Sequence, residues 1–116
     1  MTPVEATAVA AGGAVGATAR AIVGRLLEGR RATALVNVVG SLLLGVVTGA
    51  VAAGRLSPTV ATLLGTGLCG AFTTYSSLAV ETESLLADGD VWTAVRFGGG
   101  TLLAAVVGAA VGGLLA

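Results

Sequence analysis

The sequence contains no histidine and no lysine, and only one cysteine, one tryptophan, one tyrosine and two phenylalanines. Charge is scarce too: 10% of residues, six arginines against six acids, with no net charge. Each shortage closes a class of function. Zero net charge leaves no basic surface for a nucleic-acid backbone. Without histidine there is no imidazole acid–base chemistry and no histidine metal site. The lone Cys69 can form neither an intramolecular disulfide nor a thiolate zinc site, and suits helix packing as a small residue. No nucleophile–base pair can be assembled from what remains, so the chain is not expected to be an enzyme. A water-soluble domain would need far more polar surface than this one offers.

What the sequence does have is apolar length. Hydrophobic residues make up 55% of the 116, with 19 glycines besides. Residues 32–54, 56–80 and 97–116 carry no charge, and 6–24 is interrupted only by Arg20. A bilayer core about 30 Å thick is crossed by roughly 20 helical residues, so four spans fit. The expected fold is an all-α membrane protein, one domain over 1–116, with helices at about 4–25, 32–53, 58–85 and 91–115. The Met1-Thr2-Pro3-Val4-Glu5 start has no basic region of the signal-peptide kind, so the first apolar run is expected to stay as helix 1. Ser57 and Pro58 read as a cap and first helical residue, and Asp90 as the cap of the last helix. Links this short make successive helices antiparallel and put both termini on one side. Gly12 with Gly16, Gly45 with Gly49, and Gly108 with Gly112 stand four apart, the spacing that lets membrane helices approach closely. Four helices enclose a pathway poorly, so assembly of more than one chain is expected.

Polar side chains inside the spans carry the functional information, since each is costly in lipid unless partnered or wetted. Thr33, Asn37, Ser41 and Thr48 share one face of helix 2. Thr59, Thr62, Thr66, Thr73, Ser76 and Ser77 form a similar stripe on helix 3, and Arg20 lies on a face with Gly13, Gly16 and Gly24. A single Ser or Thr usually bonds its own i−4 carbonyl. Asn37 cannot satisfy its amide that way and needs a neighbour, water or a ligand. The linings hold hydroxyls, an amide and a guanidinium but no deep acid, a composition that suits an anion better than a proton or cation. Glu81 and Glu83 fall at the end of helix 3, where the interface can solvate them. Glu81 either holds the inner end of the hydroxyl stripe or is an ordinary interfacial charge. The run from Gly65 to Ser77, three glycines followed by β-branched and hydroxyl residues, makes a poor continuous helix. A broken third helix is expected there, its freed backbone binding something or lining a cavity. Carbonyls near Gly70 and Thr73 suit a hard cation such as Na⁺, while freed N–H groups and hydroxyls suit an anion.

Three segments together have a familiar order and spacing: Gly12 to Arg20, Ala34 to Gly45, and Gly67 to Ser77 with Glu81 beyond. An arginine in helix 1, Asn-x-x-Gly-Ser in helix 2 and Gly-x-x-Thr-Thr-aromatic-Ser in helix 3 closely resemble the Fluc/CrcB fluoride channel family across nearly the whole chain. The resemblance implies an antiparallel dimer of four-helix subunits in the prokaryotic plasma membrane that passively exports fluoride. It also implies a structural sodium at the dimer centre, held by the carbonyls of Gly70 and Thr73. Asn37, Ser41, Thr74, Tyr75, Ser76 and Ser77 match the polar fluoride path, and Arg20 matches an arginine near its vestibule. Small, strongly hydrated fluoride needs closely spaced donors to replace its water. An inside-negative potential drives an anion outward at about 2.3 kcal/mol per 100 mV.

The chain also departs from the family pattern. Two phenylalanines three apart usually follow the Thr-Thr pair, their ring edges facing the ion. Here those positions hold Tyr75 and Leu78; Phe72, three residues before Tyr75, reads as packing. Arg25, Arg30, Arg31 and Arg96 lie on one side and only Arg55 on the other, which favours one orientation with both termini outside. Both features point to a subunit that pairs with a homologous, oppositely oriented partner rather than with itself. A small multidrug exporter of similar size and dual topology would need a carboxylate inside helix 1, where this chain has Arg20. An accessory membrane subunit would explain the glycines but not the aligned hydroxyls.

Overall fold

A computed structural model describes residues 1–116. Helix α1 (Pro3–Leu26) starts at a capping box in which Thr2 and Glu5 each accept the other's backbone N–H, at 3.1 and 3.0 Å. The chain then turns through Gly29, whose φ of 49° favours a residue without Cβ, into α2 (Arg30–Ala52). In the third span Ser57 accepts the Val60 N–H at 3.2 Å and Pro58 occupies the first turn, as their positions in the sequence predict. Helix α3 (residues 58–72) is α-helical over Pro58–Ala61, widens to a π-helix over Thr62–Cys69, and tightens again over Gly70–Phe72. Thr73 (φ −79°, ψ 158°) and Thr74 (φ −147°, ψ 109°) are extended, and α4 (Tyr75–Ala87) follows. Asp90 accepts the Thr93 N–H at 3.2 Å and starts α5 (Val91–Leu115), which is π-helical over Val95–Gly99. All four spans, counting α3 and α4 as one of 30 residues, are long and apolar enough to cross a membrane.

Two glycine seams hold the spans together. Helix α1 packs on α3: a Cβ at Gly12 would overlap the Leu63 carbonyl, and one at Gly16 the Leu68 carbonyl. Helix α2 packs on α5: a Cβ at Gly45 would overlap the Ala109 carbonyl, and one at Gly112 the Leu42 carbonyl. In lipid, where apolar side chains gain nothing by leaving the solvent, such backbone contact carries the association. Helix α4 lies against α2 and the start of α5. The result is an elongated bundle of 48 × 27 × 25 Å with a thin core at Val36, Cys69 and Ala94. Large apolar side chains cover the outside, among them Val15, Ile22, Leu102 and Leu103.

Candidate functional site

The two extended residues sit against one face of α2, and three positions of that helix meet them and α4. Asn37 Nδ2 donates to the Thr74 carbonyl at 3.0 Å, and the Thr74 N–H donates to Asn37 Oδ1 at 2.7 Å. Both residues are buried. One turn further along, Gly40 leaves room for the Thr73 methyl and the edge of the Phe72 ring. One turn back, buried Thr33 donates its hydroxyl to Glu81 Oε1 at 2.6 Å. Asn37 thus has the neighbour its amide required.

Hydroxyls gather at the start of α4. Thr74 Oγ1 accepts the Ser77 N–H at 3.2 Å, donates to Ser77 Oγ at 3.1 Å, and lies 3.3 Å from Ser76 Oγ. This cap holds the first turn of α4 and sets three hydroxyl oxygens side by side. Tyr75 projects from the same turn and is 82% exposed, while Leu78 is half-buried. Phe72 is buried against Gly40, in keeping with a packing role. Thr73 turns back on α3: its N–H and its hydroxyl both donate to the Cys69 carbonyl, at 3.1 and 2.9 Å. Its own carbonyl accepts no hydrogen bond. Gly70 lies one turn earlier on the exposed side of α3.

Arg20, Thr33, Thr74, Ser77 and Glu81 line one cleft of about 470 Å³. The structure therefore brings together Arg20, Thr33 and the pair Thr74 and Ser77 from three separate spans. Ser41 is half-buried one residue beyond Gly40 on α2 and does not line this cleft. Two other members of the stripes serve their own helices: Thr48 donates to the Gly45 carbonyl and Thr62 to the Pro58 carbonyl.

Of the two readings of Glu81, the structure departs from that of an ordinary interfacial charge. Only Glu83 is exposed; Glu81 is half-buried, and its Oε2 is buried without a hydrogen-bond partner. Helix α4 runs on to Ala87, so Glu81 stands more than a turn before its end, against Thr33 of α2. The cleft thus contains one acid. Glu81 also borders a second groove of about 920 Å³, with Arg30, Arg31, Ser84 and Asp88, that opens at the α1–α2 turn. No local pattern announces the Thr33–Glu81 bond, because its partners stand 48 residues apart. Thr82 Oγ1 is likewise buried and unpartnered, facing Gly98 of the π-helical segment of α5.

Four antiparallel spans, two glycine seams and a polar cleft lined by the extended Thr74 define a small multi-pass membrane protein. A family model described as CrcB-like protein, Camphor Resistance (CrcB), matches residues 7–114. The chain belongs to the CrcB family, and the resemblance drawn from its motifs holds. It is similar to the fluoride-specific ion channel FluC 2 of Natronomonas pharaonis, 53% identical over 109 residues that cover 92% of this chain and 90% of the relative. The fluoride-specific ion channel FluC 1 of Frankia casuarinae is 43% identical over 119 residues, covering 93% and 92%. FluC 2 of Rhodococcus jostii is 51% identical over 82 residues, covering 67% and 68%.

Proposed function

We propose that this protein is a fluoride-specific ion channel that lets fluoride leave the cytoplasm passively and so lowers its toxicity. The observation that carries the reading is the hydroxyl cluster of Thr74, Ser76 and Ser77 beside the cleft that Arg20 lines. Neutral donors held within hydrogen-bond distance of one another can replace the water of a small anion, and a nearby guanidinium raises its local concentration. Names and extents of the relatives agree with this. In this reading Arg20 gathers the anion at the vestibule, and Asn37, Ser41, Thr74, Tyr75, Ser76 and Ser77 belong to the path. The multidrug reading has no support in α1, whose one acid, Glu5, is bound into the helix cap.

The third span is read as a functionally broken helix, with Thr73–Thr74 as the break. A structural sodium fits the oxygen chemistry there. The Thr73 carbonyl takes no hydrogen bond, and neutral oxygens are the ligands a hard cation prefers. Thr73 and Gly70 would hold the ion through those oxygens, and its charge would offset the carbonyl dipoles turned toward it.

The working unit is an antiparallel dimer in the prokaryotic plasma membrane, formed with a homologous subunit. Three observations support pairing with a non-identical chain: the arginine bias, Tyr75 and Leu78 in place of two phenylalanines, and relatives whose names carry the numbers 1 and 2. Tyr75, exposed on the single subunit, is the residue such a partner would cover. A fluoride electrode on proteoliposomes tests the channel: efflux is expected once the counter-ion is released, and silence both alone and with a coexpressed homologue rejects it. Efflux from this chain alone at the rate of the coexpressed pair rejects the heterodimer and leaves the channel standing.

A further inference from the structure

Thr82 carries a buried hydroxyl that declines the bond its own helix offers. Thr7, Thr18, Thr62 and Thr73 each donate to the carbonyl four residues back, at 2.7 to 2.9 Å. Thr82 lies in the middle of α4, where Leu78 presents the same carbonyl, yet its Oγ1 has no partner. The side chain is turned toward α5 instead. A Cβ at Gly98 would come within 2.9 Å of that oxygen and 3.0 Å of the Thr82 methyl. Valine would fill the same space without burying a donor, so in the observed form the hydroxyl is a cost.

That hydroxyl faces the place where α5 changes neighbour. The start of α5, with buried Ala94, lies on α4; from Gly100 onward the helix lies on α2, closely at Gly112. Between the two parts comes the π-helical turn Val95–Gly99, whose hydrogen bonds span five residues rather than four. Gly98, Gly99 and Gly100 stand there in succession, and glycine is the poorest helix former after proline. Neither Gly99 nor Gly100 has anything within 4 Å of a Cβ, so a change of winding meets little steric resistance. Passing to α geometry takes one residue out of the turn and rotates the two parts of α5 by about 100° relative to each other.

We propose that the π-helical turn of α5 is a two-state joint and that Thr82 catches its second form. Once the turn winds as α-helix, the Thr82 hydroxyl donates to one of the turn's carbonyls. Two adjacent residues then hold α4 on different sides, Glu81 against Thr33 of α2 and Thr82 against α5. Because α4 also carries Ser76 and Ser77 in its first turn, the joint sets where those hydroxyls stand. The joint is independent of the transported species, while its consequence for fluoride rests on the channel reading above.

Fluorine NMR of the full chain, labelled with para-fluorophenylalanine, tests it. The sequence has two phenylalanines, so Phe97 reports from inside the π-helical turn while Phe72, packed against Gly40, serves as reference. Phe97 is expected to give two lines, or one line broadened by exchange, and Phe72 one sharp line. Thr82→Val is expected to lower the minor Phe97 population about fivefold, the worth of one hydrogen bond, and to cut fluoride efflux from proteoliposomes by a similar factor. Its melting temperature does not fall, because the hydroxyl it removes is unpartnered in the observed form. Thr82→Ser keeps the hydroxyl and stays at wild-type values in all three measurements. A single sharp Phe97 line in the wild type, wild-type lines in Thr82→Val, or a lower melting temperature of that variant overturns the joint. Wild-type efflux from Thr82→Val with the minor line lost overturns its link to the cleft. Failure of the wild-type protein to pass fluoride strikes the channel reading instead, and the Phe97 lines still decide the joint.

Discussion

At the scale of single residues, the site is held by hydrogen bonds between groups far apart in the chain. Thr33 and Glu81 illustrate the energetics. The Thr33 hydroxyl is the one partner of a carboxylate whose second oxygen is already buried alone. Thr33→Val keeps the shape and removes the donor, and is expected to lower stability by about 1–3 kcal/mol, read as a fall in melting temperature in detergent. Thr33→Ser keeps the donor and is expected to restore most of that loss. Gly40→Ala would press a methyl into Thr73 and Phe72, both fixed by the chain around them. The expected cost is about 1–3 kcal/mol, with reduced efflux alongside the lower melting temperature. Polar stripes, the need of Asn37 for a partner and the proximity of Ser76 and Ser77 are all legible in the sequence, because helical periodicity places them. The partner of Asn37 is not, since Thr74 lies 37 residues away and offers backbone rather than a recognisable side chain.

At the scale of elements, glycine spacing carries most of the packing, and not every glycine contributes. Along α5, Gly112 touches the Leu42 backbone, whereas Gly99 has nothing within 4 Å. Gly112→Ala is therefore expected to push α5 off α2 and to destabilise by about 1–3 kcal/mol. Gly99→Ala is expected to be neutral or to stabilise by up to about 1 kcal/mol through helix propensity alone. Melting temperatures of the two variants, measured under the same conditions, check the contrast. The pairs Gly12–Gly16 and Gly45–Gly49 announce close approach, but spacing alone does not name the neighbour. Contact with Leu63 and Leu68 in one case, and with Ala109 in the other, depends on how four spans arrange themselves. The same holds for α3. Its glycines mark a weak helix, yet helical turns persist to Phe72, widened to π geometry over Thr62–Cys69, before the backbone becomes extended.

At the scale of the whole molecule, charge and exposed surface govern insertion and assembly. Arg25, Arg30, Arg31 and Arg96 against Arg55 give the proposed orientation, with both termini outside. Neutralising Arg30 and Arg31 together with Arg25 is expected to turn a single orientation into a mixture. Labelling of cysteines introduced near Gly29 or Gly54 by a membrane-impermeant reagent, in a Cys69→Ser background, reads the two populations. One label confined to one side in both proteins would count against the bias.

Span number, the sites of the caps at Ser57 and Asp90, and the scarcity of charge within the membrane follow from the sequence by itself. Local rules set them: the length of an apolar run against bilayer thickness, the hydroxyl or carboxylate at a helix start, and the cost of charge in lipid. Only the tertiary structure decided what those elements do to one another. It gave the Asn37 amide to the Thr74 peptide and, of the two places the sequence left open for Glu81, set it against Thr33. It also gathered Arg20, Thr33, Thr74 and Ser77 from three spans around one cleft. Such pairings join residues distant in sequence, and they are chosen where lipid supplies no water and each polar group must be met by another.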